Sequence, residues 1–176
     1  REKPENLAVA FDKGGSSDRL EIFEDYKANR SETPDAIKIA VPYIHEILRA
    51  MRIPILIKNG YEADDIIGTV AKKAEKNNYE VFMVTPDKDF AQLVSENIFM
   101  YKPARMGNGI EIWGIKEVQK KFEVSDPLQV IDFLGMMGDS ADNIPGLPGV
   151  GEKTAKKFIA KYGSIENLLA NTDQIK

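Results

Sequence analysis

The chain has 176 residues, 24 lysines and arginines against 28 acids, one histidine and no cysteine, for a net charge of −4. That length suits one ordinary domain, or a domain with a small appendage; without cysteine there can be no disulfide or zinc-thiolate site, and with His45 alone no imidazole-rich one, so any metal must be held by oxygen. No apolar run reaches the roughly 18 residues of a membrane span and no secretory pattern opens the chain, so a soluble, cytoplasmic protein without a membrane partner is expected.

Arg1 stands where an initiator methionine would, and a strand-like run follows almost at once, which suggests a piece of a longer chain. Leu7 to Phe11 reads as a buried strand ending at Asp12. Lys13 to Arg30 is polar, contains glycine and carries both signs of charge. It reads as a long loop or mobile helical segment, poorly ordered on its own. Thr33 and Pro34 read as an N-cap and first helical residue, and Ile37, Val41, Ile44, Leu48 and Met51 form the apolar stripe of a helix bent at Pro42.

Ile53 to Ile57 is a second strand, followed by a helix from Glu62 to Lys76 with Ile66, Ile67, Val70 and Ala74 inward, and by a third strand at Val81 to Val84. This alternation implies a mainly parallel sheet flanked by helices. Beyond Asp89 a short helix leads to Ile98–Tyr101, and Gly107-Asn108-Gly109 turns that strand into Ile110–Trp113. From Asp126 onward only helices are expected.

Ligands of open α/β sheets bind beyond the carboxyl ends of the strands. Asp12 follows the first strand, Glu62, Asp64 and Asp65 the second, and Asp87 and Asp89 the third, while Asp139 and Asp142 follow a later helix. Each has a plain alternative. Acids at the start of a helix suit its dipole, and Asp87, Asp139 and Asp142 could be turn residues. Those alternatives leave unexplained why each sheet segment delivers acids to the same edge. Carboxylates so crowded repel by several kcal/mol unless cations intervene, and two magnesium or manganese ions about 4 Å apart can activate water for phosphodiester hydrolysis.

Lys27 and Arg30, beside Tyr26, read either as a solvated charged face or as phosphate clamps that stabilise developing charge. Ile144 to Ala155 is a glycine-rich turn opening into a helix. Gly146, Gly149 and Gly151 admit a phosphate close to the backbone, and Lys153, Thr154, Lys156 and Lys157 lie at the helix start. Such contacts position a duplex without reading its bases. His45 reads as a surface or half-buried histidine, and Trp113 as hairpin packing.

The segments Tyr26–Arg30, Gly60–Asp65, Thr85–Asp89, Gly138–Asn143 and the Pro-Gly-Val-Gly hairpin together resemble the 5′-nuclease domain of bacterial DNA polymerase I, a relative of the flap endonucleases, over nearly the whole chain. The resemblance implies a PIN-like three-layer core under a mobile arch, followed by a helix-three-turn-helix DNA-binding module. It implies that Asp12, Glu62, Asp64, Asp65, Asp87, Asp89, Asp139 and Asp142 serve two divalent ions, that Lys27 and Arg30 are catalytic, and that Tyr26, Gly146, Gly149, Gly151, Lys153, Thr154, Lys156 and Lys157 contact DNA. A monovalent cation such as potassium at the hairpin is implied in the same way. Further implications are flap and primer-junction substrates, a 5′-phosphate product and a covalently attached polymerase. The family begins with another strand bearing a metal-binding aspartate, which this sequence would lack. The expected division is 1–124 for the nuclease core and 125–176 for the DNA-binding module. The rival readings are a non-catalytic branched-DNA binder and a phosphohydrolase or ribonuclease on a similar core.

Overall fold

The computed structural model describes residues 2–13, 17–103 and 109–174. The chain divides into two units, Arg1–Thr69 and Val70–Lys176.

In the first unit β1 (Val9–Ala10) pairs in parallel with β2 (Ile55–Leu56). Both strands are shorter than their apolar runs, yet the ladder extends through Val9 N–H to the Pro54 carbonyl and Phe11 N–H to the Leu56 carbonyl. Between them come α1 (Ser17–Ile22) and α2 (Asp35–Ala50). The segment expected to be loop or mobile helix therefore contains a defined helix followed by turns: Tyr26, Ala28 and Arg30 each donate a backbone N–H to the carbonyl three residues back. Tyr26 is buried within it.

Helix α2 starts one residue later than expected. Pro34 is the N-cap, with φ −55° and ψ 141°, and its carbonyl accepts from Ile37 and Lys38; the helix then continues through Pro42. The expected stripe is only partly covered. Val41, His45 and Leu48 are half-buried, whereas Ile37, Ile44 and Met51 are exposed, as are Ile39, Tyr43 and Ile47. Apolar residues surround this helix, so spacing alone could not select its inward face. His45 places its ring edge-on to Phe11 at 4.4 Å, and its Nε2 is buried without a hydrogen-bond partner.

Helix α3 (Ala63–Glu75) runs across the division between the units. Its buried residue is Ala71, with Ile67 and Ala74 half-covered on the same face; Val70, expected inward, is 43% exposed. A rotation of one residue separates these faces, and Ala71 suits the closer approach.

In the second unit β3 (Val81–Val84) pairs in parallel with β4 (Ile98–Lys102), which pairs antiparallel with β5 (Glu111–Trp113). A 3-10 helix, Lys88–Leu93, joins β3 to β4. The hairpin between β4 and β5 is present as expected, although residues 107 and 108 of its anticipated turn lie outside the described residues. Lys102 stacks its ammonium 3.7 Å above the Trp113 ring. Ile98, Met100, Phe90 and Ala91 are buried, as are Val118 and Phe122 of α4 (Ile115–Phe122).

After residue 124 the chain forms α5 (Gln129–Met137), α6 (Glu152–Tyr162) and α7 (Ile165–Leu169). Val130, Phe133, Met136, Ala155, Ile159, Tyr162 and Leu168 supply their buried faces. Gln129 ties the ends together: its Oε1 accepts from the Ser125 and Asp126 amides, and its Nε2 donates to the Gly163 carbonyl at 3.0 Å. The expectation of helices alone needs one correction, because β6 (Gly138–Asp139) and β7 (Ile144–Pro145) form a two-residue antiparallel bridge. Glycine permits it. Gly138 has φ +70°, and a Cβ there would lie 2.3 Å from the Gly146 nitrogen, which no side chain tolerates.

Candidate functional site

Each unit contains an acidic site. In the first, the carboxylates crowd around the start of α3. Glu62 immediately precedes the helix and is 7% exposed, the one buried charged side chain among the described residues. Such a charge requires partners. Lys27 Nζ lies 2.7 Å from Glu62 Oε1, and the Tyr26 hydroxyl donates to Oε2 at 3.1 Å. Burial opposes the Lys27 charge, but its hydrogen bonds to Glu62 and Tyr26 outweigh that cost and raise its pKa. The ammonium also lies 4.9 Å above the Tyr26 ring, a cation–π distance. Lys27 itself has φ 58°, in the left-handed region.

Asp65, in the first turn of α3, receives both forks of the Arg19 guanidinium at 2.7 and 2.9 Å. It also accepts from the Glu62 amide at 3.0 Å, satisfying one of the helix's open N–H groups. The Arg19 hydrogen bond is the main reason the Asp65 pKa is lowered, and the same bond raises that of Arg19. Asp12 Oδ1 accepts from the Ala63 amide at 2.6 Å, so the acid that closes β1 caps α3. Asp64 is exposed on the helix's first turn, and Arg30 is exposed at the end of the turns.

The second unit collects Asp87, Asp89, Asp139 and Asp142. Thr85 closes β3, and its hydroxyl accepts from the Asp87 amide; Asp87 in turn caps the 3-10 helix by accepting from the Asp89 amide at 3.0 Å. Asp139 lies on the bridge and accepts from the Ala141 amide at 2.8 Å. Burial raises the pKa of Asp89, and the neighbouring charges of Asp87, Asp139 and Asp142 raise it further against the pull of Lys88. Its Oδ1 is buried with no hydrogen-bond partner. Lys88 bridges the group loosely, 3.9 Å from Asp89 and 3.8 Å from Asp139.

Among the described residues no three such side chains already surround one point at ligating distance. The donor chemistry nevertheless fits a hard divalent cation: four carboxylates, among them Asp89, whose Oδ1 is buried without a hydrogen bond and whose charge is disfavoured by burial and by its neighbours.

The hairpin before α6 has glycines with separate tasks. A Cβ on Gly146 would lie 2.4 Å from the Met137 carbonyl, so this glycine allows the turn to press against the end of α5, where the Leu147 amide donates to the Met136 carbonyl. Gly149 has φ +77°, and Gly151 is the extended N-cap of α6; neither would meet anything within 4 Å if it carried a Cβ. The surface in front of these two is open. Lys153 and Lys157 are exposed, but Lys156 is held by Glu123 at 3.0 Å and Glu152 at 2.9 Å. Spacing groups the three lysines and gives no sign of the distant Glu123, nor of Arg19, whose partner lies 46 residues away.

The N-terminal resolvase-like domain of 5′-3′ exonucleases matches residues 1–123, and their C-terminal SAM fold matches residues 125–176. The chain belongs to the 5′-3′ exonuclease family. It is 42% identical over 175 residues to DNA polymerase I of Bacillus caldotenax, covering 99% of this chain and 20% of that protein. It is also 42% identical over 176 residues to a 5′-3′ exonuclease of Aquifex aeolicus, covering all of this chain and 59% of that protein. The chain thus spans between about a fifth and three fifths of these relatives. Among solved structures, T5 5′-exonuclease with divalent zinc bound superposes with a TM-score of 0.80 at 24% identity, over 97% of this chain and 64% of that one. The catalytic core of Rad2 in complex with DNA substrate gives 0.63 at 22% identity, over 94% and 50%. The expected PIN-like α/β core followed by a helical module is the fold found.

Proposed function

We propose that this chain is the nuclease part of a structure-specific 5′ nuclease that hydrolyses phosphodiester bonds at 5′ flaps and RNA-primed junctions. The observation that carries this reading is Asp89, a half-buried carboxylate whose Oδ1 is buried without a hydrogen bond among three further acids. Left alone, such a group is a liability to the fold; beside a cation it becomes a ligand.

Asp87, Asp89, Asp139 and Asp142 in one unit, and Asp12, Glu62 and Asp64 in the other, are the proposed holders of magnesium or manganese, two ions in number by resemblance. Metal ions of this kind supply an activated water and a charge sink for the leaving oxygen. The water oxygen bonds to phosphorus, the bond to the 3′ oxygen breaks, and that oxygen takes up a proton, leaving a 5′-phosphate. Lys27 and Arg30 neutralise the charge that builds on the phosphoryl oxygens, and their cationic character suits that task. Gly149, Gly151, Lys153, Thr154 and Lys157 receive the backbone of a duplex, with a monovalent cation able to share the hairpin carbonyls. Residues 1–124 would then form the nuclease core and 125–176 the DNA-gripping module, attached to a polymerase as in the DNA polymerase I relatives.

Rates on three substrates test the reading: a 5′-flap duplex, a linear duplex and a small phosphomonoester, each with magnesium. The flap should be cut fastest and the monoester not at all. Equal rates on flap and monoester would favour the phosphohydrolase, and tight flap binding without cutting would favour the non-catalytic binder.

A further inference from the structure

Arg19 and Asp65 have no part in the chemistry above. The guanidinium meets Asp65 Oδ1 through Nη2 and Oδ2 through Nη1, a two-point fork, and Asp65 Oδ2 receives the Glu62 amide as well. Both oxygens are therefore already used by protein donors; those of Glu62 are used too, but by one ammonium and one hydroxyl rather than by a fork and a helix cap. Asp89, with a buried oxygen that has no hydrogen bond, is in the opposite condition. A cation at Asp89 would relieve an existing penalty, whereas a cation at Asp65 would first have to displace a bidentate pair and a helix cap.

The backbone shows what that pair holds. Phe23 N–H donates to the Arg19 carbonyl, and Tyr26, Ala28 and Arg30 continue the run of hydrogen-bonded turns. Arg19 to Arg30 is thus one connected piece, tied to the start of α3 by Arg19 on Asp65 and by Tyr26 and Lys27 on Glu62.

We propose that Arg19 and Asp65 are positioning residues, a clasp that fixes the segment bearing Lys27 and Arg30 against the start of α3, and that Asp65 serves this clasp in place of a metal ion. The second half of this assignment rests on the nuclease reading; the first does not. An arginine suits the role because a lysine offers a point charge where the fork offers direction.

Hydrogen exchange at the Tyr26, Ala28 and Arg30 amides, paired with calorimetric titration of manganese, tests it on this chain and on Arg19→Gln, Arg19→Lys, Asp65→Asn and the double variant Arg19→Gln/Asp65→Asn. Each of Arg19→Gln and Asp65→Asn should speed exchange at those amides by about tenfold. The double variant should exchange no faster than either, since one interaction is lost only once. Arg19→Lys should recover part of the protection, and the amides of β3 and β4 should be unchanged, which shows that the fold persists. In Asp65→Asn the number of bound manganese ions should be that of the parent. Loss of a bound ion in Asp65→Asn, or unchanged exchange in both single variants, would overturn the proposal. If the parent bound no manganese, the nuclease reading would fall, and exchange would still decide the clasp.

Discussion

At the scale of single residues, similar acids are held in different ways. Asp89 resists ionisation because it is half-buried beside Asp87, Asp139 and Asp142, so without cations the native state bears a repulsive cost. Asp89→Asn should therefore melt higher than the parent in chelator, by about 2–4 °C for each kcal/mol relieved. The parent should gain more than the variant from magnesium, since ligand binding stabilises the folded state that binds it. Thermal scans in both conditions check this. Asp65 behaves in the reverse sense, because Arg19 lowers its pKa. Its contribution is present above the unfolded value of about 3.9 and is lost as pH falls through the lower folded value. The Tm gap between the parent and Arg19→Gln should consequently narrow below about pH 4, and a gap independent of pH would contradict it. The candidate acids were legible because each follows a strand, begins a helix or follows one. Their individual duties were not, since Arg19 and Asp65 are 46 residues apart and no local pattern joins them.

At the scale of elements, the glycine hairpin and α6 form the part best read from sequence, because turn chemistry is local. What sequence could not separate was the duty of each residue. Gly146 is needed for packing against Met137, while Gly149 and Gly151 leave open surface. Lys156 is engaged by Glu123, from the end of α4, and by Glu152, while Lys153 is exposed. In duplex-binding titrations, Lys153→Ala should reduce the slope of log affinity against log salt by about one, and Lys156→Ala should change it far less. Equal losses would mean that Lys156 leaves its acidic partners to meet phosphate. Helix α2 shows the converse limit. Its apolar residues cover so much of its circumference that the spacing marked Ile37, Ile44 and Met51 together with Val41 and Leu48, whereas of these only Val41 and Leu48 are covered, along with the unmarked His45.

At the scale of the whole chain, the buried apolar side chains are unevenly divided. Tyr26 is the one among the described residues of Arg1–Thr69; the remainder, from Ala71 to Leu168, belong to Val70–Lys176. Burial of apolar surface is the main stabilising term, so the first unit should open at lower free energy than the second. Brief proteolysis under native conditions should cut within residues 35–58 before it cuts within 115–169, and the reverse order would count against this division. Alternation of strands and helices made the fold class legible, whereas the division at Thr69 was not, because it falls inside α3 and depends on contacts that no segment displays alone. The chemistry assigned to the chain depends most on divalent ions acting through its acids. Cleavage of a 5′-labelled flap duplex, with magnesium or with chelator and alongside Asp139→Ala, tests that claim most directly. Cutting that requires magnesium and disappears in Asp139→Ala, with duplex binding retained, is the result expected; cutting that survives chelator or the substitution would contradict it.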